Sequence, residues 1–281
     1  MRVALVTTAD LPRPDPELGV LRDAFASLGH AAEIACWDDA RIGWQSFDRL
    51  LLRSTWNYVR RFADFNAWLA RPEVAERLVN PLRTVRWNMH KRYLLELAAR
   101  GVPVVETELV PVGAMPDWHA LADRWGEIVL KPAISAGSFA TVRVLPSELD
   151  RAREHRAAHR DRDMLVQPLL SSVIERGERN AVLFGGVHSH AVEKGARWSG
   201  EREASRGLVE PTDSERALAA TALAEATRAV GRMPVYARVD TAIDRDGRTV
   251  LMELELIEPS LFLNRIPPAA ARLAALTIAS D

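Results

Sequence analysis

Tyr236-Ala237-Arg238-Val239-Asp240, a turn at Asp244-Arg245-Asp246-Gly247, and then Leu251-Met252-Glu253-Leu254-Glu255-Leu256-Ile257-Glu258-Pro259 form the stretch that decides the reading of this chain. Side chains on a strand alternate between faces. Arg238 and Asp240 therefore share one face of the first run, and Glu253 and Glu255 share one face of the second. The Asp-Gly turn between them predicts a β-hairpin, with strands over 235–243 and 248–257. The hairpin would bring three carboxylates together. Like charges so close repel unless a cation sits among them. Oxygen-only ligands suit Mg²⁺, which binds through a few carboxylates plus nucleotide phosphates. A solvated strand face accounts equally well for Glu253 and Glu255 taken alone. Glu258-Pro259 does not fit a plain solvated strand.

Two lysines and a proline-bearing hinge lie upstream. Lys131 ends the apolar run Glu127-Ile128-Val129-Leu130 and heads Pro132-Ala133-Ile134-Ser135-Ala136-Gly137-Ser138. In a loop of small residues, backbone N–H groups can approach phosphate oxygens, with the lysine as a fixed charge. A solvent-facing strand-end lysine is the plainer alternative. Lys91 is expected in the first turn of a helix capped by Asn88, running to Arg100 and stopped by Gly101; surface lysines on helices are ordinary. In Met164-Leu165-Val166-Gln167-Pro168-Leu169-Leu170, an apolar strand runs into a hinge. Adenine needs one C=O and one N–H. Gln167 or Pro168 would offer the C=O and Leu169 the N–H, since proline has none to give. Glu175 would accept from ribose hydroxyls. A core strand followed by a turn explains the same pattern.

The first third reads β-α-β. Strands are expected over 2–7, 31–37 and 47–53, with an amphipathic helix from Glu17 to Leu28 ended by Gly29. Such spacing favours a parallel sheet with crossovers. Ligands collect at the carboxyl ends of such strands, where Asp10, Asp38 and Arg53-Ser54-Thr55-Trp56-Asn57-Tyr58 fall. From Asn80-Pro81 onward the pattern is α+β, with strand-like runs at 102–106, 127–131, 140–145 and 163–167 and a helix near 147–160. Residues 178–185 and 187–193 form a second hairpin across Gly185-Gly186. A long helix covers 213–230, and Pro267-Pro268 opens a last one.

At 281 residues, two or three subdomains are expected. Net charge is −1, and acids balance the arginines along the chain, which argues against a nucleic-acid partner. No apolar run approaches the ~20 residues that span a bilayer. Residues 1–6 turn polar at Thr7 and read as a buried strand rather than a signal peptide. Cys36 is the single cysteine, so no internal disulfide forms. A cytoplasmic protein is the expectation. His188 and His190 share a strand face but lack a third zinc ligand, which points to a structural or surface role.

Taken in order, these features resemble the ATP-grasp family. Lys91 stands before Leu97-Ala98-Ala99-Arg100-Gly101-Val102-Pro103-Val104, Lys131 sits in Val129-Leu130-Lys131-Pro132, and the hinge is Val166-Gln167-Pro168-Leu169. Gly177-Glu178-Arg179-Asn180 approximates the family's substrate-facing strand. The similarity covers about residues 80 to 262. Two departures stand out: Glu255 replaces the usual Asn, and Gly137 is the lone glycine of the phosphate loop. The resemblance implies a parallel α/β N-terminal domain over 1–80, followed by two α+β subdomains, 81–168 and 169–281, that clamp ATP. It also implies an ADP-forming ligase that activates a carboxylate. Mg²⁺ would sit on Asp240, Glu253 and Glu255. ATP would contact Lys91, Lys131, Ser135, Ala136, Gly137, Ser138, Gln167, Pro168, Leu169 and Glu175. Arg238, Arg206 and Lys131 would act in catalysis, and Arg53, Asn57, Tyr58, Arg206 and Arg238 would hold the substrate. The glutathione-synthetase-like branch is nearest. Within it, residues 52–58 and 252–260 resemble the cyclo-ligases of cycloserine biosynthesis, which implies ring closure of O-ureido-D-serine. An intermolecular amide ligase is the alternative on the same scaffold, and a nucleotide-binding module without turnover is the non-enzyme one. A homodimer is left open.

Overall fold

The apolar run Val3–Val6 is fully buried because it forms the middle of a sheet. In the computed structural model, which describes residues 1–11, 13–195 and 205–280, β1 (Arg2–Thr7) lies between β2 (Ala31–Cys36) and β3 (Arg49–Ser54), parallel to both. Helix α1 (Glu17–Ser27) makes the crossover, burying Leu18, Leu21 and Phe25. The chain turns at Gly29, whose φ of +76° a side chain would resist. Helices α2 (Phe62–Leu69) and α3 (Pro72–Ala75) follow. Trp37, Trp44, Phe65 and Trp68 fill the other side of this sheet, in edge and stacked contacts.

The helix expected to start at an Asn88 cap and run to Arg100 begins later, as α5 (Tyr93–Ala99), and Asn88 falls inside a preceding helix, α4 (Leu82–Met89). Asn88 is no cap. Its side chain is buried and bonds the Leu254 carbonyl and the Leu256 N–H, at 2.7 and 2.8 Å. Asn80 does the same for Tyr236, Leu256 and Val235. These two amides satisfy backbone groups that would otherwise be stranded. They also tie the helical connection to the strands that carry the carboxylates.

An antiparallel sheet of order β4-β7-β5-β6 comes next. Its strands are β4 (Glu108–Val110), β5 (Ile128–Pro132), β6 (Val142–Val144) and β7 (Met164–Pro168), covered by α6 (Trp118–Trp125) and α7 (Leu149–Ala158). The strand expected over 102–106 is a single bridge, Val104 to Leu251. Pro103 accepts from Leu251 but has no N–H to extend a ladder. Past α8 (Ser171–Glu175), the third sheet runs β10-β9-β8-β11-β12. It comprises β8 (Arg179–Phe184), β9 (Val187–Lys194), β10 (Ser205–Val209), β11 (Tyr236–Ile243) and β12 (Thr249–Glu255). Helix α9 (Asp213–Val230), closed by a Thr212–Glu215 capping box, packs Leu218, Ala222 and Leu223 on one face. Helix α10 (Pro267–Ala279) packs with α1 in a core that also contains Val182, Phe184 and Tyr236 of the third sheet. That shared core holds the first sheet against the β11–β12 hairpin. No helix among the described residues is long and apolar enough to cross a membrane.

Candidate active site

The antiparallel register sets Asp240 opposite Glu253 and Arg238 opposite Glu255. All four line one cavity of about 540 Å³. Arg238 is buried and forks onto Asp240, with Nε donating to Oδ1 at 2.7 Å and Nη2 to Oδ2 at 2.8 Å. It also bonds Glu255. Lys91 leaves the break between α4 and α5, where its Nζ donates to the Ser135 carbonyl at 2.6 Å and lies 3.1 Å from Glu253. The surface lysine expected on a helix is therefore a buried one. Burial pushes both Asp240 and Glu253 up, but their cations win and hold them below the usual carboxylate range: Arg238 and Lys194 for Asp240, Lys91 and Lys131 for Glu253. Glu255 goes the other way, to about 7, because burial and its acidic neighbours outweigh Arg238.

This donor set fits a magnesium ion. It is all oxygen and carries more acid than its cations hold fully ionised. Among the described residues, however, no group of three acidic, histidine or cysteine side chains, Asp240, Glu253 and Glu255 included, is placed to hold a metal ion by itself. Phosphate oxygens would have to complete the coordination, which is the usual manner for this ion. His190 bonds the Leu261 carbonyl at 2.7 Å, a structural contact.

Lys131 and the loop Ser135–Ser138 line the same cavity. Gly137, Ser138 and Ala140 have φ of +56°, +60° and +50°. Left-handed turns in sequence point N–H groups into one concavity, where anions bind, and two of these three residues take the strain without being glycine. At the hinge, Gln167 bonds Thr107 through its side chain. The Leu169 N–H, expected to face adenine, already donates to the Glu127 carbonyl at 2.9 Å. Neighbouring strand residues point their backbone groups to opposite sides. The Pro168 carbonyl and the Leu170 N–H thus face away from β5, on the side where β4 pairs no further than Val166.

Four expected site residues lie outside the cavity lining. Arg53 is sealed at 1% exposure, 3.0 Å from Glu17, and donates to the Pro259 carbonyl at 2.7 Å. Asn57 turns back to Asp38 and Trp37. Arg206 is exposed on the edge strand β10, 3.7 Å from Glu193. Glu175 is exposed at the end of α8. Tyr58, with Trp56, does line the cavity from the first unit. Among the charged lining residues, Lys194 had no assignment from sequence, Glu178 was only part of the approximate substrate-facing motif, and Glu258 stood out only as a poor fit to a solvated strand. Lys194 sits 3.6 Å from Glu178 and 3.7 Å from Asp240. Burial and Arg238 push it down, but Asp240 and Glu178 prevail and hold it above the usual lysine value. Its place follows from the order of strands in the sheet, which no local pattern encodes.

A lysine pair, a small-residue loop and a carboxylate hairpin around one cavity between two α+β units define an ATP-grasp ligase. The comparisons agree. A sequence profile of the D-cycloserine synthetase DcsG N-terminal domain matches residues 3–80. The chain is 34% identical to the cycloserine biosynthesis protein DcsG of Streptomyces lavendulae, over 97% of this chain and 96% of that one. It superposes on the crystal structure of D-cycloserine synthetase DcsG with a TM-score of 0.91, at 34% identity and full coverage of both. The D-alanine–D-alanine ligase of Bacillus anthracis shares the fold at 14% identity, with a TM-score of 0.71 and coverage of 100% and 97%. The chain belongs to the D-cycloserine synthetase family of ATP-dependent ligases.

Proposed function

We propose that the protein uses ATP and Mg²⁺ to close O-ureido-D-serine into D-cycloserine, releasing ADP and phosphate. The observation that carries this reading is a single cavity joining the carboxylate hairpin, Lys91, Lys131 and the phosphate loop to Trp56 and Tyr58 of the unit matched by the D-cycloserine synthetase profile. In this reading residues 1–80 supply the amino-acid side, and 81–168 and 169–281 close on the nucleotide. The adenine lies against Pro168 and Leu170. Bound at Asp240, Glu253 and Glu255, Mg²⁺ would neutralise charge on the phosphates.

The chain's own groups do the rest by positioning, as phosphoryl transfer requires. Lys131 and the Ser135–Ser138 loop orient the γ-phosphate, and Arg238 neutralises charge where the substrate carboxylate approaches. A carboxylate oxygen bonds to the γ-phosphorus as the bond to ADP breaks. The oxygen-bound ureido nitrogen then attacks the acyl carbon and loses its proton, and phosphate departs with the bridging oxygen. Water then removes the carbamoyl group, which leaves as carbon dioxide and ammonia. Because the nucleophile is part of the same molecule, holding it folded converts closure into a step of high effective molarity, worth up to ~7–11 kcal/mol of barrier. Incubation with ATP, Mg²⁺ and O-ureido-D-serine should yield ADP and the ring product by mass spectrometry. ADP only when a second amino acid is added, with a linear amide product, would favour intermolecular ligation instead.

A further inference from the structure

Beyond β12 the chain runs as a strap, 256–263, and its first acid is unaccounted for by the nucleotide or the metal. Glu258 is 6% exposed and lines the cavity. It lies three residues past Glu255, the last residue of the strand. The cation that bears on it, Lys91, is already bonded to Glu253 and Ser135. Among the described residues, the Tyr58 hydroxyl beside it acts with Lys91 to hold its proton less tightly. Three aromatic side chains, Trp56, Tyr58 and Phe262, line the same cavity. The strap is held rigidly. Trp56 donates to the Glu258 carbonyl at 3.1 Å and Arg53 to the Pro259 carbonyl. Glu17 accepts from the Leu261 and Phe262 N–H groups at 2.9 and 2.8 Å. Arg238 donates to the Ser260 carbonyl at 3.3 Å.

We propose that the Glu258 carboxylate, supported by Tyr58, receives the α-ammonium of the amino-acid substrate. This rests on the amino-acid reading above and deepens it. Among the described residues no cation is dedicated to this buried carboxylate, a costly arrangement; an ammonium ligand removes that cost, and the aromatic side chains lining the cavity add to the attraction. Burial and Glu255 push the Glu258 carboxyl up to about 8, and an incoming cation would bring it down. With Arg238 two backbone positions away through Ser260, the pocket offers an anion for the ammonium and a cation for the carboxylate. Those two contacts fix which way the ureido arm folds.

The test compares O-ureido-D-serine with its deamino analogue, 3-(ureidooxy)propanoate, in the wild-type protein and in Glu258→Gln. ADP formation is followed at saturating ATP and Mg²⁺. Wild type should lose about 10- to 100-fold in kcat/KM on removal of the amine, the size of one charge-assisted contact. Glu258→Gln should lose a similar factor with the amino substrate, through KM, and little more with the analogue. ATP affinity by calorimetry should stay within about twofold of wild type, which separates lost recognition from lost folding. Tyr58→Phe should show the same pattern, weaker by about tenfold. Independent, multiplying losses would overturn the inference, as would an altered Mg²⁺ requirement with KM for the amino acid unchanged. If the wild-type protein forms no ADP with O-ureido-D-serine, the substrate reading falls and this inference with it. Turnover with multiplying losses removes the inference alone.

Discussion

Glu253 and Glu255 are two residues apart on one strand, yet their protons behave differently. Lysines hold the first below the usual range, and acidic neighbours raise the second to about 7. The shared face was legible from alternation alone; the lysine was not, since Lys91 looks like any helix-surface residue until the helix breaks before it. Replacing Glu253 by Gln should abolish ADP formation while the unfolding midpoint moves by only a few degrees; full activity at low Mg²⁺ would remove it from the metal site. Lys131→Ala should weaken ATP binding by about 1.5–3 kcal/mol, and Lys91→Ala should act in the same direction, both read by calorimetry. Glu258 adds a pH signature. Its folded pKa of about 8 stands above the ordinary 4.5. The folded chain therefore holds this proton more tightly, so the stabilisation is complete below about 4.5 and is lost as pH rises through about 8. Thermal melts of the ligand-free protein should show stability declining across that window. Glu258→Gln should flatten the decline by up to about 1.4 kcal/mol per pH unit.

At the scale of elements, the β-α-β opening, α9 and the β11–β12 hairpin follow from periodicity and turn residues, and the sequence reading placed them within a residue or two. What escaped it were the elements set by distant partners. At the α4–α5 break the Lys91 N–H leaves the helical pattern and donates to the Ala133 carbonyl at 2.7 Å, while Asn80 and Asn88 serve the backbone of strands more than 150 positions away. The Leu169 N–H is spent because β5 and β7 pair one residue further than the hinge pattern suggests. Gly177 was noted only as part of an approximate motif. At φ +87°, a Cβ there would stand 2.1 Å from the Lys194 carbonyl. Gly177→Ala must therefore displace the backbone that carries Lys194. It should cost at least about 2 kcal/mol in denaturant melts, strain and clash together, and lower turnover as well. An unchanged midpoint would mean that β9 can move aside.

For the molecule as a whole, the largest correction is Arg53. A strand-end arginine in a polar stretch reads as a carboxylate clamp, but its partner, Glu17, lies 36 positions back, and its other bond reaches 206 positions forward to Pro259. The pair joins the first sheet to the strap that carries Glu258. Glu17→Ala leaves a buried guanidinium uncompensated and should cost about 3–5 kcal/mol of stability; a loss under about 1 kcal/mol would make the tie dispensable. Isotope transfer reads directly which bonds form and break during activation. O-ureido-D-serine carrying ¹⁸O in both carboxylate oxygens, turned over with ATP and Mg²⁺, should give phosphate bearing one ¹⁸O and a ring product that keeps the other. Unlabelled phosphate, or ¹⁸O found in AMP, would contradict activation of the carboxylate by γ-phosphoryl transfer.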